Sequence, residues 1–279
     1  RNGSLKSINR IDRLPLVHNL RWLESLGLSN VFRVFRENSR LRFLLVIGVL
    51  FFGVLALAAW RYAPRSDRSA AASKRVRPAL ESALRVKGLR WGAPAFIRIF
   101  KEEKQLELWV DDGKQFKLFK TWAICKFSGE LGPKLKEGDG QAPEGFYFVP
   151  RARMNPRSRF HLSFNLGYPN AYDRARQRTG SALMVHGNCV SIGCYAMTDS
   201  RIEEIYSLCD AALQNGQRFF RVHSFPFRMT EANMKRYRKS KWISEWQNLK
   251  IGYDWFEKTK RPPNVTVSGN QYAFSANPR

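Results

Sequence analysis

Between Leu183 and Met197 an apolar run, Leu183-Met184-Val185, leads into a glycine-bearing loop that carries His186, Cys189, Ser191 and Cys194. A buried strand is expected to end there and to deliver the loop. Gly187 and Gly193 let the backbone turn sharply and approach another group closely. The thiol of Cys194 stands eight positions from the imidazole of His186, so it can fold back into hydrogen-bond reach. That is the minimum a thiolate nucleophile and its general base require. Two other uses of the same residues exist. Cys194 can be a small buried apolar residue with His186 a satisfied strand-end histidine. His186, Cys189 and Cys194 can also hold a metal, but the chain offers no second cluster to complete a tetrahedral set. Neither metal nor cofactor is expected.

Ser191-Ile192-Gly193-Cys194 resembles the Ser-His-Gly-Cys signature of the L,D-transpeptidases, the YkuD-domain family, and His186-Gly187 resembles that family's upstream His-Gly. The likeness is to the YafK-like subgroup and extends over roughly Ala95 to Phe274. It includes Ile97 to Glu103, Ile124 to Gly129, Leu131 to Lys134, Pro143 to Tyr147, Gly167 to Ala175 and Pro226 to Thr230. Several motifs in order are a stronger signal than one tetrapeptide. The chain departs from the family pattern by Ile192 in place of His and Ala196 in place of Arg. His186 must then carry the proton transfer without a second imidazole.

The resemblance implies attack by Cys194 on the meso-diaminopimelate carbonyl of a peptidoglycan stem peptide, through a thioester, with His186 as proton carrier. Gly193 and Cys194 N–H groups are candidate oxyanion donors. Ser191 either orients His186 or closes its own turn. Tyr172, Asp173 and Arg174 are candidates to line the substrate groove, with Arg174 pairing a carboxylate; an internal Asp–Arg pair is the alternative. Cys125 and Cys189 lie in segments shared with the subgroup and could form a disulfide beside the site in an oxidising compartment. The subgroup likeness favours hydrolysis of the link between peptidoglycan and an outer-membrane lipoprotein. Cross-linking or protein attachment is the alternative, and an inactive peptidoglycan-binding module a third.

The composition adds a net charge of +25, from 48 Lys and Arg against 23 Asp and Glu. Such a balance suits an anionic polymer or anionic lipid. No Arg-rich recognition helix or nucleic-acid motif accompanies it, so nucleic acid is not expected as a partner. Four cysteines do not make a disulfide framework in 279 residues.

Along the chain, residues 1–42 read as a basic, mildly amphipathic segment. Phe43 to Trp60 is an uncharged apolar run of 18 residues, just long enough to span a bilayer. It is either a retained inner-membrane anchor or the core of a cleaved signal, since Ala56-Leu57-Ala58-Ala59 resembles a peptidase site. The protein would thus sit on the periplasmic face of the inner membrane, or be soluble in the periplasm. Residues 61–94 are expected to be a basic linker with a short helix at 78–87.

From residue 95 the pattern turns to alternating strands, at 96–100, 106–110, 117–125, 146–149, 160–166, 182–186 and 219–224. A helix is expected after Thr198 or Asp199, with Ile202, Ile205, Leu208, Cys209 and Leu213 inward. Residues 95–227 are therefore expected to form a mixed, mainly β, sandwich-like domain, and the resemblance implies that it is a catalytic domain of the YkuD type. Residues 228–279 append a short helix capped by Thr230, an amphipathic helix from Trp242 to Glu257, and a hairpin about Gly269-Asn270.

Overall fold

The structure is a computed structural model, and it describes residues 67–276 together with residues 47 and 48. The basic segment 1–42 and the apolar run 43–60 lie outside the described residues, except for Ile47 and Gly48, which are helical. No helix among the described residues is long and apolar enough to cross a membrane.

The period of two in Ala95–Phe100 makes it a central strand, β1, with all six residues buried. Ala95, Ile97 and Ile99 enter one core, while Phe96 and Phe100 face the other side of the sheet. Next to it run β2 (Gln105–Asp111) and β3 (Phe116–Ala123), both antiparallel, with a register shift at Leu108/Trp109. On its other edge β1 runs parallel to β9 (Phe219–Phe225), which pairs antiparallel with β4 (Gly145–Pro150). The order is β3-β2-β1-β9-β4.

One face of this sheet packs on a smaller four-stranded sheet of β5 (Met154–Asn155), β6 (Ser163–Asn165), β7 (Met184–His186) and β8 (Tyr195–Ala196). The rings of Phe164 and Phe220 meet edge to face at 5.2 Å, and the Tyr195 hydroxyl hydrogen-bonds with Ser224 Oγ at 2.7 Å. The two layers thus close over a shared apolar core, the arrangement a sandwich requires. The smaller strands are shorter than alternation predicts. His161 and Ala182 both have left-handed backbone, with φ of 67° and 52°, and this ends extended geometry before β6 and β7.

Helices decide the rest, and the domain is mixed α/β, with the expected mixed character carried by helices on both faces of the large sheet. Asp67–Val86 forms one 20-residue helix, α1, where the sequence suggests a linker with a short helix. Ala72, Leu80 and Leu84 are buried in the main core, and contacts group the helix with the rest of residues 65–279. Pro78 is tolerated because it sits on the exposed face, where water can satisfy the carbonyl it leaves unpaired. Arg75 on α1 pairs with Glu203 on α3 (Asp199–Gln214), which is capped by the Thr198 hydroxyl. Cys209 on α3 is fully buried.

On the opposite face of the large sheet, Phe100, Phe146 and Phe225 meet Trp246, Leu249 and Tyr253 of α5 (Ile243–Thr259). Tyr272 of the hairpin formed by β10 (Asn264–Ser268) and β11 (Gln271–Ser275) completes that core. Two short helices, α2 (Ala171–Ala175) and α4 (Glu231–Arg236), lie on the same side through Tyr172 and Met234.

Candidate active site

β7 and β8 are parallel neighbours, with Val185 opposite Tyr195 and His186 opposite Ala196. Cys194 therefore enters its strand beside Met184, two residues along from His186 on the same face of the sheet. The Met184 N–H donates to Cys194 Sγ at 3.4 Å, and the thiol donates to the Ala182 carbonyl at 3.6 Å. No hydrogen bond joins Sγ to His186 among the described residues. The imidazole is held from behind: its Nδ1 lies 2.6 Å from the Gly187 carbonyl, and the Phe160 ring lies against it at 4.6 Å. A carbonyl only accepts, so Nδ1 carries the proton and Nε2 is the basic nitrogen.

Burial dominates both ionisations. It lowers the basicity of His186, with the Gly187 carbonyl acting weakly the other way. It raises the Cys194 thiol above its ordinary value, against smaller opposing effects of the Met184 N–H and the Lys134 charge. The resting pair is thus thiol and neutral imidazole rather than thiolate and imidazolium.

The intervening loop is tied down at several points. A Cβ on Gly187 would lie 2.5 Å from Asp199 Oδ1 and 3.0 Å from the Phe160 carbonyl, so a side chain there would displace the Asp199 carboxylate from the loop. Asn188 and Cys189 adopt left-handed backbone, with φ of 65° and 40°. That strain is held by the Asn188 N–H to Asp199 Oδ1, the Cys189 N–H to the Met197 carbonyl, and a disulfide from Cys189 to Cys125. The disulfide Cα atoms are 5.3 Å apart, within ordinary disulfide geometry.

The Ser191 hydroxyl donates to the Cys194 carbonyl at 2.7 Å and accepts from the Gly193 N–H at 3.1 Å. It closes its own turn and does not orient His186. Gly193, at φ 146°, spends its N–H on that turn and is not a free oxyanion donor as first expected. The Cys194 N–H has no hydrogen-bond partner among the described residues. Ile192 is 91% exposed. Beside the thiol a groove of about 710 Å³ opens; Ala182 and Met184, which both contact Sγ, form part of its wall.

The family model of the YkuD L,D-transpeptidase catalytic domain matches residues 94–222, which contain His186 and Cys194. YafK of Escherichia coli strain K12, which carries the L,D-transpeptidase name, is 50% identical over 184 residues, covering 66% of this chain and 75% of that protein. YafK of E. coli O157:H7 matches to the same extent. The chain belongs to the L,D-transpeptidase family. Among solved structures, the helical cell shape determining protein Pgp2 of Campylobacter jejuni matches at 19% identity with a TM-score of 0.39, covering 63% of this chain and 73% of Pgp2. Bd1075 of Bdellovibrio bacteriovorus matches at 17% identity with a TM-score of 0.34, covering 63% and 78%.

Membership supports an enzyme acting on peptidoglycan. Against that background, two residues expected to line the substrate groove of this L,D-transpeptidase are structural. Tyr172 is buried, stacked on Tyr272 at 4.1 Å. Asp173 is buried in a capping box with Asn170, accepts from the Tyr147 hydroxyl and pairs with Arg178 at 3.1 Å. Burial raises its carboxyl pKa, opposed by those partners. The internal Asp–Arg pair exists, but its arginine is Arg178 rather than Arg174. Arg174 is exposed and does line the groove. Three groove residues, Arg153, Asn155 and Asn165, were not singled out from sequence. The only local signal was the Asn155-Pro156 turn, and it says nothing about what the turn faces.

Proposed function

We propose that Cys194 is the nucleophile and His186 the proton carrier of an acyl transfer on peptidoglycan stem peptides, at the carbonyl of meso-diaminopimelate. The observation that carries this is the β7–β8 pairing, which sets thiol and imidazole on one sheet face, with Met184, which contacts the thiol, lining an open groove. Rotation about the Cys194 Cα–Cβ bond would take the thiol from the Ala182 carbonyl toward His186 Nε2, which removes its proton. The thiolate attacks the carbonyl carbon, and the partnerless Cys194 N–H donates to the developing oxyanion. Collapse expels the amine, which takes the proton back from the imidazolium, and leaves a thioester on Sγ.

Water then releases the acid, or a second amine takes the acyl group. We favour water, and the link between peptidoglycan and an outer-membrane lipoprotein as the bond cut, on the subgroup likeness. The site of action is then the periplasm, with residues 43–60 as the inner-membrane anchor.

Mass spectrometry of muropeptides and lipoprotein-linked peptides, incubated with purified protein, tests the choice of acceptor. Freed lipoprotein supports hydrolysis, and a new cross-link supports amine transfer. Intact-mass analysis with a thiol-acylating β-lactam tests the nucleophile. A stable adduct that disappears in Cys194→Ala is expected; equal labelling in both would remove the assignment, and no labelling would favour an inactive binding module.

A further inference from the structure

The groove beside Cys194 has an unusual lining: Arg153, Asn155, Asn165 and Arg174 contribute to its walls, and no Asp or Glu does. Arg153 is anchored, its guanidinium donating to the Phe148 and Leu166 carbonyls, so its charge is fixed in place. Arg174 is exposed and among the described residues bonds only the Pro169 carbonyl, which leaves further N–H groups for a ligand. Each asparagine uses its oxygen locally. Asn155 Oδ1 accepts from the Arg157 N–H at 3.1 Å, and Asn165 Oδ1 from the Gly167 N–H at 2.7 Å. Both Nδ2 donors are without an intramolecular partner among the described residues, while each oxygen already holds one hydrogen bond. These four side chains therefore present two guanidinium charges and two free amide donors, with no carboxylate to oppose them.

A wall of this kind favours a planar anion. A carboxylate accepts two parallel bonds from a guanidinium and leaves lone pairs for the amides. A carboxamide in the same place carries no charge to answer the two guanidinium groups and turns its own N–H groups toward them. We propose that the groove is a carboxylate subsite, reading a free carboxylate of the donor peptide, with Arg174 as the recognising residue and Arg153 as a fixed positive field. This rests on the acyl-transfer reading only in that the donor carbonyl is taken to lie at Cys194. The groove's contact with the thiol through Ala182 and Met184 places the two ends of one bound peptide in a single path.

The test uses the full chain as Cys194→Ala, so that binding is measured without turnover. Two probes are titrated calorimetrically: a stem tripeptide ending in meso-diaminopimelate, and the same peptide with the diaminopimelate carboxyls amidated. The acid is expected to bind about 10- to 100-fold more tightly, the range for a charge-assisted contact. Arg174→Gln should reduce that preference to about twofold or less. Arg174→Lys, which keeps the charge and loses the fork, should fall between. Arg174 is exposed, so thermal unfolding of these variants should match the Cys194→Ala parent.

Equal affinity for the two probes overturns the proposal. So does a preference that survives Arg174→Gln, and so does failure of both probes to bind. Thioester formation on the unsubstituted protein is scored separately. Its absence would count against the acyl-transfer reading while leaving the carboxylate preference of the groove to stand or fall by itself.

Discussion

The buried imidazole and the half-buried thiol set the pH behaviour of this protein. Burial pushes the Cys194 thiol up and His186 down, so a stable ion pair at neutral pH is disfavoured. Alkylation of Cys194 by iodoacetamide should keep rising through about pH 9, the upper end of ordinary thiol ionisation, without a plateau near pH 6 or 7. A plateau in that acidic range would reveal a preformed thiolate. His186 and the fully buried His223 both ionise at lower pH folded than unfolded. The unfolded chain then binds more protons below about pH 6.5, so their contribution is complete above that value and is lost as pH falls toward the folded values.

The same residue scale distinguishes the missing second histidine. Ile192 is 91% exposed and stands outside the contacts that hold His186. His186→Ala should lose most of the rate, and Ile192→His should not restore it. Recovery of turnover in the double variant, by product analysis on one defined muropeptide, would show that position 192 can host the base.

Among the elements, the loop between β7 and β8 is the most constrained piece of backbone. Two left-handed residues precede Cys194, and the Cys125–Cys189 bond closes a separation of 64 residues around them. Removing the bond with Cys125→Ser and Cys189→Ser should cost about 2–4 kcal/mol in denaturant unfolding. Cys194 alkylation should also change rate, because the loop that presents the thiol loses its tether. An unchanged unfolding midpoint would mean that the backbone bonds alone hold the loop. The element least visible in sequence is α1. Its inward positions Ala72, Val76, Leu80 and Leu84 recur every fourth residue, but Arg, Lys, Ser and Ala dominate the window and Pro78 interrupts it. Its partner face on α3 is more than a hundred residues away, so the decisive contact is not local.

At the scale of the whole molecule, the buried Lys101–Glu144 pair is among the ion pairs that join the layers. Lys101, immediately after β1, donates to Glu144 Oε1 at 3.0 Å and to the carbonyls of Gly132 and Ala142. Glu144 Oε2 accepts from Trp246 Nε1 of α5 at 2.9 Å. The network fixes the long loop 128–144 to both the sheet and the C-terminal helix. Lys101→Met leaves Glu144 buried without its cation and should cost about 3–5 kcal/mol in chemical unfolding. Adding Glu144→Gln should recover part of that loss. A single variant as stable as the parent would show the pair to be dispensable.

The sequence by itself determined the pieces governed by local rules: the alternating strands, the Thr198 and Thr230 caps, the Gly269-Asn270 hairpin, and the glycine-bearing loop with its histidine and cysteine. Those follow from backbone period, capping and turn chemistry, which act over a few residues. Tertiary structure alone decided which polar residues face the groove. Tyr172, Asp173 and Arg174 are consecutive, yet two are buried and one lines the groove. The reason is geometric: a side chain's environment depends on which distant strands and helices pack around its short helix. The wall of Arg153, Asn155, Asn165 and Arg174, without a carboxylate, arises the same way, from three segments that meet only once the sheets are closed.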